Sequence, residues 1–421
     1  MKVLGIVAEY NPFHNGHLYH LEQSKAACGA DCAVSVMSGN FIQRGEPAIV
    51  EKRARAEMAL RAGIDLVLEL PVVYAMSSAE YFAYAAVKIL DNLGTVDYLC
   101  FGSESGNLDT LDMIADILVR EPLEFKVLLR KSLAAGKSYP SAREAALKAY
   151  IAERPGTGIQ IEGIMKNSNN ILGIEYLKAL KRLNSGILPL TIKRHGNTYN
   201  NANLTGDFSS ATSIRSHIRQ NPGTASLKGL ESVLPTSSLE ILESEFKQGR
   251  GPVFPEAFGS ILLSGLRRMT NAEIKALPYV SEGLENRIKE AAENSLSLEG
   301  LLDGIGTRRY TDTRIQRSLF SLLTGMTGSE FDRFNEFGGP QYIRILGFND
   351  QGRQLLSKAG KKALLPIITK AADYKSSCNP LLSRMLEIEA ASTDQYVLAF
   401  KSTAHGKSGL EFTGNIIRHI K

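Results

Sequence analysis

Two histidines flank a glycine near the start of the chain, in the order His14-x-Gly16-His17. They follow an apolar run, Val3 to Ala8, whose length and composition predict a buried parallel strand. Asn11-Pro12 predicts a turn, after which the spacing of apolar residues predicts a helix. Such a turn presents free backbone N–H groups and the positive end of a helix dipole. Together with two imidazoles, it predicts a site for an anion such as a triphosphate.

The alternatives for this pair are an ordinary surface or core role and a metal site. A metal is the weaker alternative, since no Cys, His or Asp cluster with metal-ligand spacing accompanies the histidines, and we expect no metal ligand from the protein's own side chains. The position after the first strand favours ligand binding, because α/β folds bind ligands at the carboxyl ends of their strands. Gly16 would let the backbone approach that ligand closely.

Three further segments follow a predicted strand or begin a predicted helix. Gly102 follows a strand, at the edge where a ribose or adenine lies in a doubly wound sheet. Asn169 and Asn170 begin a helix, where they either contact a base or sugar or only cap the helix. The segment from Ser209 to Arg215 brings hydroxyls, helix N–H groups and a guanidinium together, which suits phosphate.

The elements that would position these residues alternate between strand and helix over the first hundred residues. Further strands are predicted at 32–37, 65–70, 97–101 and 190–194, separated by helical patterns. This predicts an α/β fold with a doubly wound, Rossmann-like parallel sheet.

Beyond residue 221 the patterns are mainly helical, with a late strand pair expected at 342–346 and 395–400. We therefore predict two domains, an α/β domain at 1–220 and a mostly α-helical domain at 221–421.

Composition narrows the class of protein. A length of 421 residues favours more than one domain, and 43% hydrophobic with 22% charged residues is typical of soluble globular proteins. The net charge of +5 permits an anionic partner without requiring one. No apolar run approaches the roughly 20 residues of a membrane span, so no membrane association is expected. The four cysteines lack zinc or disulfide spacing, which predicts reduced thiols in a cytoplasmic protein.

The pairing of His-x-Gly-His with the Ser/Thr-rich helix start resembles the nucleotidyltransferase superfamily. Nearly the whole chain resembles the bacterial tRNA(Met) cytidine acetate ligases. The segments that carry this resemblance are GIVAEYNPFHNGHLYHL, SGNFIQRGEPAIVEKRARAEMAL, NNILGIEYLKAL, SSATSIR, SEGLENRI and RRYTDTRIQR. The resemblance implies ATP-dependent activation of acetate to acetyl-adenylate, with release of pyrophosphate. The acetyl group would then pass to N4 of the wobble cytidine of elongator tRNA(Met).

The resemblance implies that 1–220 is an ATP-binding domain of the nucleotidyltransferase type and that 221–421 is a tRNA-binding domain. It also implies roles for individual residues. His14 and His17 are expected to stabilise the transition state at the phosphates, and Mg²⁺ is expected on the leaving pyrophosphate. The residues expected to bind ATP are Val7, Ala8, Glu9, Tyr10, Asn11, Pro12, Phe13, His14, Asn15, Gly16, His17, Leu18, Tyr19, His20, Gly102, Asn169, Arg194, Ser210, Thr212 and Arg215. Asn40, Gln43 and Arg44 follow the second strand and are candidates for holding acetate or the target cytosine, or for fixing the turn.

The expected tRNA contacts are basic. Arg308, Arg309, Tyr310, Arg314 and Arg317 combine guanidinium groups with an aromatic ring, which suits phosphate contact and base stacking. The alternative is that these residues form only a solvent-exposed, charged face of a helix and do not contact RNA.

A second and weaker patch is expected at Lys52, Arg53 and Arg55. No protein partner is predicted.

Two other functions compete. A small-molecule adenylyltransferase of cofactor synthesis would use the same histidines, but about half of the chain would then lack a purpose. A non-catalytic RNA-binding protein on the same fold is the second alternative. Intact His14, His17 and Arg215 favour an active enzyme.

Overall fold

A computed structural model describes residues 1–153, 163–194, 208–223, 226–307 and 310–420. Within these residues, eight strands form one sheet with the order β10-β8-β5-β2-β1-β6-β7, and β9 pairs with β8 at its side. The strands are β1 (Val3–Ala8), β2 (Cys32–Ser38), β5 (Leu66–Leu70), β6 (Tyr98–Ser103), β7 (Leu188–Lys193), β8 (Ile343–Asn349), β9 (Ile367–Ile368) and β10 (Ile417–His419). A separate hairpin consists of β3 (Phe41–Ile42) and β4 (Glu46–Pro47).

Helices cover both faces of this sheet. They are α1 (Asn15–Cys28), α2 (Lys52–Arg61), α3 (Val72–Ala75), α4 (Ala79–Asn92), α5 (Leu108–Arg120), α6 (Leu123–Ala134), α7 (Tyr139–Ala152), α8 (Ser168–Leu183), α9 (Ala211–Gln220), α10 (Thr236–Lys247), α11 (Gly259–Arg268), α12 (Asn271–Lys275), α13 (Leu284–Asn294), α14 (Leu298–Ile305), α15 (Asp312–Ser321), α16 (Gly328–Glu336), α17 (Asp350–Ala359), α18 (Pro380–Tyr396) and α19 (Leu410–Thr413). Short 3₁₀ helices lie at Ile164–Lys166, Pro255–Phe258, Leu322–Thr324, Ala371–Ser376 and Val397–Ala399.

The centre of the sheet confirms the predicted fold class. The first strand pairs in parallel with β2 and β6, and the sheet continues in parallel to β5 on one side and β7 on the other. The residues of β2 and β5 are all buried, as expected for strands covered on both faces. Two apolar cores, one on each face, make the sheet doubly wound.

The second half of the chain contributes to the same sheet. The strand β8 pairs antiparallel with β5, and β10 pairs in parallel with β8. The expected strand at 342–346 therefore exists. The expected strand at 395–400 is wrong, because these residues finish α18 and form a 3₁₀ turn. The division at residue 220 stays a prediction, and the sheet spans it.

A fully buried ionic cluster joins elements from both halves. The Lys52 ammonium lies 2.6 Å from Glu69, 3.0 Å from Glu389 and 2.8 Å from Glu411. Arg344 on β8 pairs with Glu411 and lies 3.4 Å from Glu69. Separating these elements would leave buried charges without partners, which is costly. The cluster therefore holds α2, β5, β8, α18 and α19 together.

No helix in the described part of the chain is long and apolar enough to cross a membrane.

Candidate active site

A cavity of about 410 Å³ lies at the carboxyl ends of β1, β6 and β7, beside the starts of α1, α8 and α9. This is where a doubly wound sheet places its ligands. The predicted site residues that line it are Val7, Ala8, Glu9, Tyr10, Asn11, His14, Gly16, His17, Tyr19, His20, Gln43, Arg44, Gly102, Asn169, Arg194 and Ser210. The structure therefore brings together segments that lie as far as 200 positions apart in sequence.

The two histidines build the start of α1. The Nδ1 atom of His14 accepts a hydrogen bond from the Gly16 N–H at 3.0 Å, and Nδ1 of His17 accepts one from the His14 N–H at 3.2 Å. In a neutral imidazole with Nδ1 as acceptor, the proton is on Nε2. The rings stack with centroids 3.8 Å apart. The hydrogen-bond pattern thus assigns a free Nε2–H donor to both rings.

Both imidazoles are held neutral. Burial, with the charges of Arg194 and Arg215, lowers the pKa of His14 to about 3. Burial and the neighbouring His14 lower the pKa of His17 well below its usual value. The pKa of His20 falls to about 4 for the same reason, with Arg194 nearby. At neutral pH these groups therefore offer N–H donors, not positive charge.

The glycine between the histidines has a purpose that the sequence did not show. A Cβ on Gly16 would lie 2.9 Å from Cε1 of His14, so a side chain there would displace the imidazole. Gly16 also lines the cavity, as predicted. Six residues before Gly16, Tyr10 adopts a φ of 46°, which is uncommon for a residue other than glycine.

One end of the cavity is formed by Gly102, Asn169 and Arg194. The Arg194 guanidinium donates to Oδ1 of Asn169 at 3.4 Å. A Cβ on Gly102 would lie 3.1 Å from Cγ of Arg194, so the glycine lets that arginine cross the strand end. The Asn169 amide also donates to Glu104 at 2.7 Å, so its orientation is fixed.

Asn170, the neighbour of Asn169, is used within the fold. Its Oδ1 accepts from the backbone N–H groups of Glu104 and Ser105 at 3.0 and 3.1 Å. This is not the capping role considered from the sequence, because the N-cap of α8 is Asn167; Asn170 instead holds the loop after β6.

The start of α9 supplies hydroxyls and an arginine near the histidines. Ser210 is the N-cap, since its hydroxyl accepts from the Ser213 N–H at 3.1 Å. Arg215 donates to the Asn11 carbonyl at 2.8 Å and lies 4.0 Å from Glu46. It thus links α9 to the turn after β1.

Glu9 brings a carboxyl group into the cavity. Its Oε1 accepts from the Gln43 N–H at 2.9 Å. Burial raises the pKa of Glu9, while Gln43 and the charges of Arg215 and Arg44 oppose that rise. Gln43 donates through its side-chain amide to the Ser77 carbonyl at 3.0 Å.

Seven of the residues predicted to bind ATP, acetate or cytidine do not line the cavity, namely Pro12, Phe13, Asn15, Leu18, Asn40, Thr212 and Arg215. Asn40 is fully buried and both ends of its amide are occupied, so of the two roles considered for it, fixing the turn is the one observed. It donates to the Thr393 hydroxyl at 3.2 Å and accepts from the Lys52 N–H at 2.9 Å. Asn15 donates to the Ser232 carbonyl at 2.8 Å.

The predicted patch at Lys52, Arg53 and Arg55 is wrong as a surface. Lys52 belongs to the buried cluster, and Arg53 pairs with Glu51 at 2.8 Å. Arg55 is fully buried and donates to the carbonyl oxygens of Glu9, at 2.6 Å, and of Ser38, at 3.1 Å. It is a site-supporting residue that sequence reasoning missed, since only the fold brings these carbonyls together.

Three of the predicted tRNA residues, Tyr310, Arg314 and Arg317, are described by the structure, and none of them lines the cavity. Arg308 and Arg309 lie outside the described residues. Arg314 donates to the Tyr279 carbonyl at 3.1 Å and the Ser281 hydroxyl at 2.6 Å. The second contact gives a structural role to the segment at 281–286, for which the sequence alone indicated none. Tyr310 is buried and donates to the Glu282 carbonyl at 3.0 Å.

The helix that carries these arginines packs against the β3–β4 hairpin. Arg317 donates to the Gln43 carbonyl at 3.4 Å, and its guanidinium lies 5.6 Å from the centre of the Tyr279 ring. Thr313 on α15 lines the cavity. The arginines are thus engaged within the chain, and their contact with tRNA stays a prediction.

Among the described residues, no group of three or more His, Cys, Asp or Glu side chains is arranged to hold a metal ion.

A doubly wound sheet with a His-x-Gly-His helix start and an opposing Ser/Thr-rich helix start defines the class of nucleotidyl transferases. A model of the HIGH nucleotidyl transferase family matches residues 1–410. The chain belongs to this family and, within it, to the tRNA(Met) cytidine acetate ligases. It is 56% identical, over 99% of its length and 100% of the relative's, to the tRNA(Met) cytidine acetate ligase of Acetivibrio thermocellus.

Other relatives agree. The enzyme of the same name from Thermoanaerobacter sp. is 47% identical over 99% of this chain and 100% of its own. Thermotoga maritima TmcAL, in a crystal structure bound with alpha-thio ATP, superposes with a TM-score of 0.92 at 40% identity over 100% of both chains. Its apo form gives a TM-score of 0.94. The family predicted from the sequence is confirmed.

Proposed function

We propose that this chain activates acetate with ATP and transfers the acetyl group to N4 of the wobble cytidine of elongator tRNA(Met). The observation that carries this proposal is one cavity where the His14–His17 pair meets the start of α9 at one part and a carboxyl group at another. It would act in the cytoplasm, where tRNA is available.

ATP would lie with its adenosine toward Gly102, Asn169 and Arg194 and its phosphates toward the histidines. Two helix starts, α1 and α9, direct N–H groups and positive dipole ends at this part of the cavity. The Nε2–H donors of the neutral imidazoles would stabilise the charge that develops when the acetate oxygen attacks the α-phosphate.

Positive charge for the phosphates would come from Arg194 and Arg215. Mg²⁺ would arrive with the phosphate oxygens, which suit a hard cation, and would neutralise the leaving pyrophosphate. No covalent nucleophile is needed, because attack on a phosphorus mainly requires alignment and charge stabilisation.

The position of α15 supports transfer to RNA. Its residue Thr313 lines the cavity and its arginines contact Gln43 and the 279–281 turn. The arginine-bearing helix predicted to meet tRNA therefore lies next to the cavity and not on a remote surface.

The purified protein should be incubated with ATP, radiolabelled acetate and an elongator tRNA(Met) transcript, with and without RNase. We expect RNase-sensitive label in the tRNA. A transcript whose wobble cytidine is replaced by uridine is the matched control and should stay unlabelled. Labelled adenylates without transfer would favour a small-molecule adenylyltransferase, and no ATP consumption would contradict both enzymes.

A further inference from the structure

Two arginines contribute positive charge around the cavity. Arg194 lines the cavity and lies 3.4 Å from Asn169. Arg215 donates at 2.8 Å to the carbonyl of Asn11, a residue that lies between Glu9 and His14 in the chain, and its charge lowers the pKa of both His14 and Glu9.

The part of the cavity that Glu9 lines is unsuited to phosphate. A carboxylate in a cavity repels phosphate and acetate oxygens, and the repulsion is stronger where water is excluded. It accepts hydrogen bonds from amino groups instead, and carboxylates recognise cytosine by accepting from its N4 amino group. The chemistry of Glu9 therefore fits the amino group that accepts the acetyl group better than the phosphates of ATP.

The cavity also has aromatic rings in its wall. Ala79, Phe82 and Tyr176 line the same cavity as Glu9, and the Tyr176 ring lies 5.8 Å, between ring centres, from that of Phe101, which also lines it. Single-stranded bases are commonly recognised by stacking on aromatic side chains.

Glu9 is also held rigidly. Arg55 binds its carbonyl at 2.6 Å and the Gln43 N–H binds its carboxyl at 2.9 Å. The Gln43 carbonyl in turn accepts from Arg317 at 3.4 Å, which connects Glu9 to α15.

We propose that the Glu9 carboxylate accepts a hydrogen bond from the N4 amino group of the target cytosine and removes a proton from it during acetyl transfer. This inference rests on the proposed function. A bond forms between N4 and the acetyl carbonyl carbon, and the bond from that carbon to the phosphate oxygen breaks. The electron pair leaves with AMP, and one N4 proton passes to Glu9.

The test separates the two half-reactions in a Glu9→Gln variant. Acetyl-adenylate formation is measured by trapping with hydroxylamine, which needs no base, as acetate-dependent acetohydroxamate. Acetyl transfer is measured on the tRNA(Met) transcript. We expect hydroxamate formation within about 3-fold of the unmodified protein and transfer at least about 100-fold slower, the usual contribution of a general base.

The Glu22→Gln variant changes an exposed carboxyl group on α1 and is the control, which should leave both rates unchanged. A Glu9→Asp variant retains the charge and should keep more transfer activity than Glu9→Gln. Equal losses in both half-reactions of Glu9→Gln would assign Glu9 to nucleotide binding or folding, and unchanged transfer would show that Glu9 is not the base. Either result overturns the inference while leaving the acetate ligase function intact. Absence of both activities from the unmodified protein would instead contradict the proposed function.

Discussion

At the scale of single residues, the histidines combine two tasks. Each Nδ1 satisfies a backbone N–H at the start of α1, which leaves each Nε2–H for a ligand. A neutral donor suits a site that already contains Arg194 and Arg215, because two more buried cations would repel them.

We predict that His14→Asn and His17→Asn each slow hydroxamate formation by about 10²–10³-fold, the typical cost of removing one preorganised donor. Asparagine is a favoured N-cap, so α1 should still form in the His14 variant. Affinity for tRNA, measured by filter binding, should stay within about 2-fold. His405→Asn, at an exposed position, is the control. Loss of tRNA binding in the His14 or His17 variants would contradict the separation of tasks proposed for this site.

The low pKa of His14 also predicts how stability changes with pH. The folded value of about 3 lies below the ordinary 6.5, so the unfolded chain binds a proton first as pH falls. The stabilisation is complete above pH 6.5 and declines from there toward pH 3.

Between pH 7 and pH 5 the unmodified protein should therefore lose about 2 kcal/mol more free energy of unfolding than His14→Asn. Urea unfolding at the two pH values measures this difference. Parallel losses in both proteins would show that His14 titrates normally in the folded state.

At the scale of elements, the buried ionic cluster connects the end of the chain to the sheet. It contains two cations, Lys52 and Arg344, and three carboxyl groups. Burial, with the nearby charge of Glu69, raises the pKa of Glu389 to about 8, whereas Lys52 and Arg344 hold the pKa of Glu411 far below its usual range. With Glu389 protonated at neutral pH, the cluster has two positive and two negative charges.

This balance predicts different effects for two similar substitutions. Glu411→Gln removes a charge that both cations require and should cost about 3–5 kcal/mol of unfolding free energy. Glu389→Gln replaces a group that is already neutral and should cost about 1 kcal/mol. Denaturant unfolding at pH 7 compares the two, each serving as the control for the other. Equal costs would show that Glu389 is ionised.

At the scale of the whole molecule, the sequence predicted what depends on local patterns. The parallel strands, the His-x-Gly-His turn and the Ser210 cap all follow from apolar periodicity and from capping chemistry. Partners distant in sequence were not predictable. Lys52 and Glu389, for example, are 337 positions apart. Nor does the sequence distinguish an exposed run of basic residues on a helix from a buried one, so Lys52, Arg53 and Arg55 were predicted as a surface patch. The segment at 395–400 has the composition of a strand, but it follows α18 directly and continues its helical path.

The packing of α15 also bears on which arginines are predicted to contact tRNA. Arg314 and Arg317 are used to fix α15 against the cavity wall, which leaves the preceding Arg308 and Arg309 as the predicted phosphate contacts. The double variant Arg308→Glu, Arg309→Glu should bind tRNA at least about 10-fold more weakly. The slope of log affinity against log salt should become shallower by about 1 to 2, because each lost phosphate contact removes a released counterion. Hydroxamate formation should not change, since Arg308 and Arg309 are not among the residues proposed to bind ATP.

The matched control for that variant is Lys358→Glu, Lys361→Glu, which reverses two exposed charges on and just after α17. A general effect of net charge would weaken tRNA binding equally in both double variants and would contradict a specific contact. A loss confined to the Arg308 and Arg309 variant, with an unchanged first half-reaction, would locate the tRNA path beside α15. The target cytosine would then enter the cavity from the side where α15, Gln43 and Glu9 are joined by hydrogen bonds.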